Sequence, residues 1–294
     1  MALFLQHVID AITYGSQFAL YALGIALIFG IMGLINFAHG ELIMVGAYTI
    51  VLIGNPPWPV TVIATIGVAL VFALAMERVA FRPLRGASPP TLLIASFAVS
   101  YGLQNLAILI EGSAPKGTSV STWLSESVEI GSVSIPKLDV VTIVVTLVLL
   151  VTLGLFLQRT RTGVQMRAAA EDFRMARILG VKANTVIATA FGMSGVLAGI
   201  GAYLLVAQTG EVSPDIGNNP VLYAFVATVL GGMGSLRGAV VGGYVFGAIF
   251  VGLQAYLPLE LRSYRDAFAF AAVIIMLLVR PQGLIVARSA ATRV

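Results

Sequence analysis

The 294-residue sequence contains no cysteine, which removes disulfides, thiolate catalysis and cysteine metal sites from consideration. It has two histidines, His7 and His39, far apart in the chain, and no grouping of His, Asp and Glu that suits metal or proton chemistry. An enzyme embedded in the membrane is therefore disfavoured. A phosphate-binding loop ending in Gly-Lys-Ser/Thr is missing too, so any ATP would have to be hydrolysed by another subunit. Charge is scarce: 10% of residues are Asp, Glu, Lys or Arg, against about 25% in a soluble globular domain. No basic segment precedes the first apolar stretch and no cleavage site follows it, so that stretch is expected to be retained as a first span.

What is abundant is apolar surface, with 59% hydrophobic residues and a mean hydropathy of +0.98. A helix crosses the hydrocarbon core with about 20 apolar residues, since each residue rises about 1.5 Å across about 30 Å. Charge-free runs of that order lie between Asp10 and Glu41, Glu41 and Glu77, Arg85 and Glu111, Asp139 and Arg159, Lys182 and Glu211, Asp215 and Arg237, and Arg237 and Glu260. A last candidate, 267–279, is short and must borrow length from flanking residues that snorkel. The runs are continuous rather than alternating, which favours helices over barrel strands. These observations predict an all-α, polytopic transmembrane helical bundle, one domain over 1–294, with about eight spans plus a broken or re-entrant segment.

The net charge of +4 does not point to nucleic acid, because the basic residues sit beside apolar spans, where they set orientation. Arg78, Arg82 and Arg85 mark one inside loop, and Arg159, Arg161, Arg167, Arg174, Arg177 and Lys182 a larger one over 159–184. Arg280, Arg288 and Arg293 place the C-terminus inside. The segment 111–138 is acidic and rich in Ser, Gly and Thr, and 211–220 has two acids and no base, so both are expected outside. Asn55-Pro56-Pro57-Trp58-Pro59 is a stiff turn, and the segment near 36–54 before it is barely long enough to cross. If it crosses, the N-terminus is outside; if it is re-entrant, the N-terminus is inside. Glycine, at 31 residues, recurs at four-residue spacing in Gly195 and Gly199, Gly238 and Gly242, and Gly243 and Gly247, the spacing that lets helix backbones touch in lipid.

Several segments could carry chemistry. Asn36-Phe37-Ala38-His39-Gly40-Glu41 places polar side chains and a glycine at the junction of two apolar runs, either a broken helix bordering a translocation path or a short interfacial loop. The cluster Gly231-Gly232-Met233-Gly234-Ser235-Leu236-Arg237-Gly238 lies in the second half much as that segment lies in the first, and paired interruptions point to a transport site. Path candidates are therefore Asn36, His39, Glu41, Gly232, Gly234 and Ser235. To these are added Tyr101, Gln104 and Asn105 from a polar stripe with Ser96 and Ser100, for which bonding between helices ranks first and a wet path second. The inside stretch from Arg167 to Gly180 is rich in helix formers, has Arg167 and Glu171 at i,i+4, and ends on a glycine, so one short cytoplasmic helix is expected. It is more ordered than orientation alone requires, which suggests a docking surface; the alternative is a positive-inside anchor with no partner.

With these residues in view the chain resembles the branched-chain amino-acid permeases of ATP-driven ABC importers, LivH type, over nearly its whole length. The resemblance is carried by Asn36 to Glu41 followed by Met44 and Gly46-Ala47-Tyr48, by the Arg167 to Gly180 stretch, and by Gly231 to Gly238 followed by Ala239. It implies a permease subunit with no cofactor of its own, multi-pass in the bacterial inner membrane. The implied partners are a second related permease as heterodimer, two cytoplasmic ABC ATPases, and a periplasmic binding protein delivering branched-chain or other hydrophobic amino acids. It also implies that the inside helix is a coupling helix seated in an ATPase groove, with Arg167, Glu171, Arg174, Ala176, Arg177 and Gly180 as its residues. ABC permeases often carry Glu-Ala-Ala, three residues, then Gly there; Ala176 and Gly180 keep that spacing, while Arg174 and Met175 replace the first two and no Ile-x-Leu-Pro tail follows. The alternatives are the same architecture serving urea or short amides, and a stand-alone secondary carrier, which would need an intramembrane charged coupling site that the long spans lack.

Overall fold

A computed structural model describes residues 2–54, 56–118, 120, 122–130 and 133–285; Asn55, Arg288 and Arg293 lie outside them. The chain forms α1 (Ala2–Met32), α2 (His39–Leu52), α3 (Trp58–Met76), α4 (Pro89–Glu111), α5 (Lys137–Arg159), α6 (Arg161–Glu171), α7 (Phe173–Ile178), α8 (Ala183–Thr209), α9 (Asn218–Gly231), α10 (Leu236–Tyr256) and α11 (Arg265–Val279). Prolines stand within the first two positions of α3 and α4, where a missing N–H breaks no helical bond. Threonines inside spans satisfy themselves in lipid by bonding back one turn, as Thr65 does to the Thr61 carbonyl at 2.7 Å and Thr142 to Leu138 at 2.8 Å.

Among the described residues, six helices, α1, α3, α4, α5, α8 and α10, are long and apolar enough to cross a membrane. The charge-free runs suggested about eight spans. The difference lies in α9 and α11, of 14 and 15 residues. In the run from Asp215 to Arg237, residues at both ends are spent on turns, at 213–217 and at 232–235, so a run free of charge is longer than the helix it contains.

Among the described residues, four short strands mark one end of the bundle and the contacts of Arg85 mark the other. β1 (Lys116–Gly117) pairs antiparallel with β4 (Glu211–Val212), which joins the two segments read from their charge as external. β2 (Ser127–Ile130) and β3 (Val133–Pro136) form a hairpin at the same end. At the other end Arg85 pairs with Glu77 and donates to Asn184, tying the first basic loop to the start of α8. α1 begins beside β3 and its far end packs on α6, while α2 finishes beside β4. The segment after α1 therefore does carry the chain back to the end where α1 began, in two pieces: an irregular stretch from Gly33 to Ala38, then α2. Of the two topologies left open by the sequence, the crossing one holds, with the N-terminus at the end of the strands.

The same pattern recurs later in the chain and inverted. A long helix, a short helix of 14 residues and a third helix follow one another as α1–α2–α3, with 31, 14 and 19 residues, and as α8–α9–α10, with 27, 14 and 21. The triplets run in opposite directions. Each third helix packs on the other triplet's first, α10 on α1 and α3 on α8, and each short helix also lies on the other's first. Glycines make both long contacts close: a Cβ on Gly243 of α10 would lie 2.5 Å from the Ala19 nitrogen of α1, and one on Gly199 of α8 would lie 2.8 Å from the Ile66 Cα of α3. Backbones that touch recover dispersion energy that lipid cannot supply by a hydrophobic effect. As a result α1 and α8 form the buried centre, whereas α4 lies at an edge.

Candidate functional site

The break between α1 and α2 is built by Asn36. Its side-chain oxygen accepts from the Ala38 nitrogen at 3.1 Å, and the next three nitrogens, of His39, Gly40 and Glu41, reach back to the carbonyls of Asn36, Phe37 and Ala38. The tight turn starts α2 in the interior of the bundle, because its side chains land on the midpoints of other helices. Glu41 Oε1 accepts from Ser100 Oγ at 2.6 Å, and Ser100 is the middle residue of α4. His39 Nδ1 lies 3.0 Å from Ser194 Oγ, close to the middle of α8. The first-half segment and the polar stripe of α4, read separately from the sequence, thus meet in one place, and the stripe does bond neighbouring helices.

Gln104 extends this cluster. Its Nε2 donates to Glu41 Oε1 at 2.8 Å and to Asn218 Oδ1 at 2.7 Å, linking α4 to the first residue of α9. Ser96 closes the inward side by accepting from the Phe37 nitrogen at 3.4 Å. The backbones of the two breaks also touch: a Cβ on Gly40 would lie 2.6 Å from the Gly217 carbonyl oxygen. His39 is wholly buried, its ring filling the space left by Gly24 of α1, and Asn36, His39 and Glu41 are all among the buried polar residues. Three atoms of α2, His39 Nε2, Glu41 Oε2 and Tyr48 Oη, are buried without a hydrogen-bond partner among the described residues, and such groups in a fold call for an explanation.

Other path candidates fall elsewhere. Tyr101 points outward, at 72% exposure, and Asn105 bonds the Tyr101 carbonyl at 2.8 Å, so neither joins the cluster. Gly232, Gly234 and Ser235 lie at the opposite end from the strands. Gly232 and Gly234 take positive φ values of 110° and 86°, and Ser235 caps α10 by accepting from the Gly238 nitrogen at 3.0 Å. The structural counterpart of the Asn36 break is accordingly the break before α9, at Gly217–Asn218, and not the glycine cluster that follows α9. Composition misled here, since the α8–α9 break contains two glycines against the cluster's four.

Gly234 and Ser235 instead line a cavity of about 600 Å³ at the inner end, shared with Arg167, Glu171 and Arg237. The expected single helix from Arg167 to Gly180 is in fact two. α6 ends at Glu171, Asp172 turns extended, and its Oδ1 accepts from the Met175 nitrogen at 2.8 Å to start α7. Gly180 closes α7 with φ 89°, as Gly180 and Val181 nitrogens bond the Arg177 and Ala176 carbonyls, each at 3.0 Å. Ala176 is buried, while Arg174 and Arg177 are exposed. Arg167 and Glu171 form no ion pair among the described residues, despite their spacing.

Ser194, Gly24 and Asn218 were not singled out by sequence reasoning. A lone serine in an apolar span and a polar residue opening a short helix were the available signals; Gly24 had none beyond being a small residue.

The family model for branched-chain amino acid transport system / permease component matches residues 7–277. The chain is 36% identical over 296 residues to the high-affinity branched-chain amino acid transport system permease protein LivH of Salmonella typhimurium, covering 96% of this chain and 95% of that one. The same figures hold for LivH of Escherichia coli K12. The corresponding permease protein BraD of Pseudomonas aeruginosa is 36% identical over 299 residues, again 96% and 95% of the two chains.

Proposed function

The chain belongs to the family of branched-chain amino acid transport permease components, and from that premise we propose that it carries branched-chain amino acids across the bacterial inner membrane as one subunit of an ATP-driven importer. The observation that supports this most is the match over nearly the full length of both chains, which spans every helix that could line a path. The partners are a second related permease, two cytoplasmic ATPases and a periplasmic binding protein. ATP hydrolysis falls to the ATPases, since this sequence has no phosphate-binding loop.

Two parts of the fold suit the work. Segment 159–184 is the coupling element, in which α7 presents Arg174 and Arg177 with Met175, Ile178 and Leu179 exposed beside them, a mixed basic and apolar tip suited to a groove in a soluble subunit. Segment 111–138, joined to β4, forms the external face that meets the binding protein. Between them, Asn36, His39, Glu41 and Gln104 border the path at mid-depth, where two breaks touch and polar groups replace part of a solute's hydration. An ATPase-driven movement of α7 is passed through α6 to the inner cavity and the Gly234–Ser235 turn, shifting the bundle between its two openings.

The experiment is reconstitution of the permease pair, ATPases and binding protein in proteoliposomes, with uptake of labelled leucine followed with and without ATP. ATP-dependent accumulation is the expected result. Uptake by this chain alone, without ATPases, would remove the importer reading.

A further inference from the structure

Glu41 is 1% exposed at the level of the α4 midpoint, and none of the four ion pairs among the described residues includes it. Both of its neutral donors, Ser100 and Gln104, bond the same oxygen, Oε1, and Oε2 has no partner among the described residues. A buried carboxyl group with no counter-charge is expensive to ionise in a membrane protein, and such residues mark substrate or ion pathways. The neighbouring Gln104 shows what shape that charge would take. One amide nitrogen sits between two acceptors, Glu41 Oε1 at 2.8 Å and Asn218 Oδ1 at 2.7 Å. A primary ammonium carries three N–H donors, enough for both carboxylate oxygens of Glu41 and for Asn218, and its bonds to a carboxylate are charge-assisted and roughly twice as strong as neutral ones.

The cluster is also within reach. Asn218 is exposed and Gln104 half-buried, so a single side chain separates Glu41 from the open face between α4 and α9. An apolar wall lies one turn inward. Phe37 stacks on Phe97 with ring centres 4.5 Å apart and meets Phe225 at 5.6 Å, and Phe97 is half exposed. A cation holder beside exposed aromatic surface matches a solute with an ammonium group and a branched aliphatic side chain.

We propose that Glu41, with the Asn218 side-chain oxygen, holds the α-ammonium group of the transported amino acid at mid-depth, and that the Gln104 amide occupies this site when no solute is there. The inference rests on the transport reading above and deepens it. It also states a selectivity: neutral amides such as urea, which bring no cation, leave the carboxylate uncompensated.

The test uses the complete complex in proteoliposomes with saturating leucine-loaded binding protein, measuring ATP-dependent leucine uptake and ATPase rate in the same vesicles. Glu41→Gln is nearly isosteric and its amide oxygen still accepts from Ser100 and Gln104, but it has no charge. Uptake is expected to fall about tenfold or more, with stimulated ATPase activity within about twofold of wild type. Glu41→Asp, a poorer fit that keeps the charge, is expected to transport better than Glu41→Gln. The proposal is overturned if Glu41→Gln transports normally, if Glu41→Asp is as defective as Glu41→Gln, or if uptake and ATPase activity fall in parallel in Glu41→Gln. A wild-type complex that takes up no leucine would instead overturn the transport reading, and this proposal with it.

Discussion

The imidazole of His39 stands where a side chain on Gly24 would be: a Cβ built on Gly24 lies 2.5 Å from His39 Nε2. One residue of α1 therefore sets the position of the break that opens α2. Gly24→Ala pushes the ring away from Ser194, and overpacking of this kind destabilises by about 1–3 kcal/mol. A lower unfolding temperature of the detergent-solubilised complex is expected. Adding His39→Ala to Gly24→Ala should recover part of that loss, because the clash disappears with the ring; strictly additive losses would show that the two residues do not share the space.

Gly40 and Gly217 make the corresponding contact between the two breaks, backbone against backbone. Here no flexible side chain can yield. Gly217→Ala should separate α2 from α9 and disturb the Gln104 bridge to Asn218, lowering leucine uptake more strongly than Gly67→Ala. Gly67 lies on α3 with nothing among the described residues within 4 Å of an added Cβ, so it serves as the control. Equal uptake by the two variants would mean that the breaks need not touch.

Much of this was legible in the sequence, and the parts that were not share a cause. Long charge-free runs gave the helices, and the signs of loop charges correctly grouped 111–138 with 211–220 at one end and Arg85 with the start of α8 at the other. The glycine spacing of Gly195 with Gly199 and of Gly243 with Gly247 does fall on close helix contacts. The Asn36 to Glu41 segment stood out because polar residues in an apolar run are costly. What the sequence could not supply was partnership across the bundle. Asn218 resembles any loop residue, Ser194 any satisfied serine, and the inverted relation of α1–α3 to α8–α10 lives in helix lengths and directions that share little residue pattern. Asp172 was legible in principle, being a capping residue type, yet good helix formers on both sides of it concealed the break.

That break gives a prediction about coupling. Asp172 Oδ1 caps α7, and losing such a cap costs about 1 kcal/mol, small for the fold but large for a helix of 6 residues. Asp172→Ala should let α6 and α7 run together and turn the Arg174–Arg177 tip away, reducing ATPase stimulation by loaded binding protein. Asp172→Asn and Asp172→Ser keep an acceptor and should retain most of it. If all three lose stimulation alike, the charge of Asp172 rather than its cap is what matters; if all three keep it, neither does.

The tip of α7 separates two ways in which it could work. Arg174 and Arg177 supply positive charge, whereas Ile178 and Leu179, at 72% and 78% exposure, supply apolar area that no membrane-spanning helix covers. Charge chiefly sets the rate of encounter and fades with salt, while desolvated apolar contacts hold a docked subunit in place. Arg174→Glu with Arg177→Glu should therefore weaken stimulated ATPase activity most at low ionic strength, and partner ATPase should still copurify at moderate salt. Ile178→Ser with Leu179→Ser should lose the ATPase on purification at any ionic strength. A complex that tolerates both pairs of changes, with normal copurification and normal stimulation, would place the docking surface outside α7.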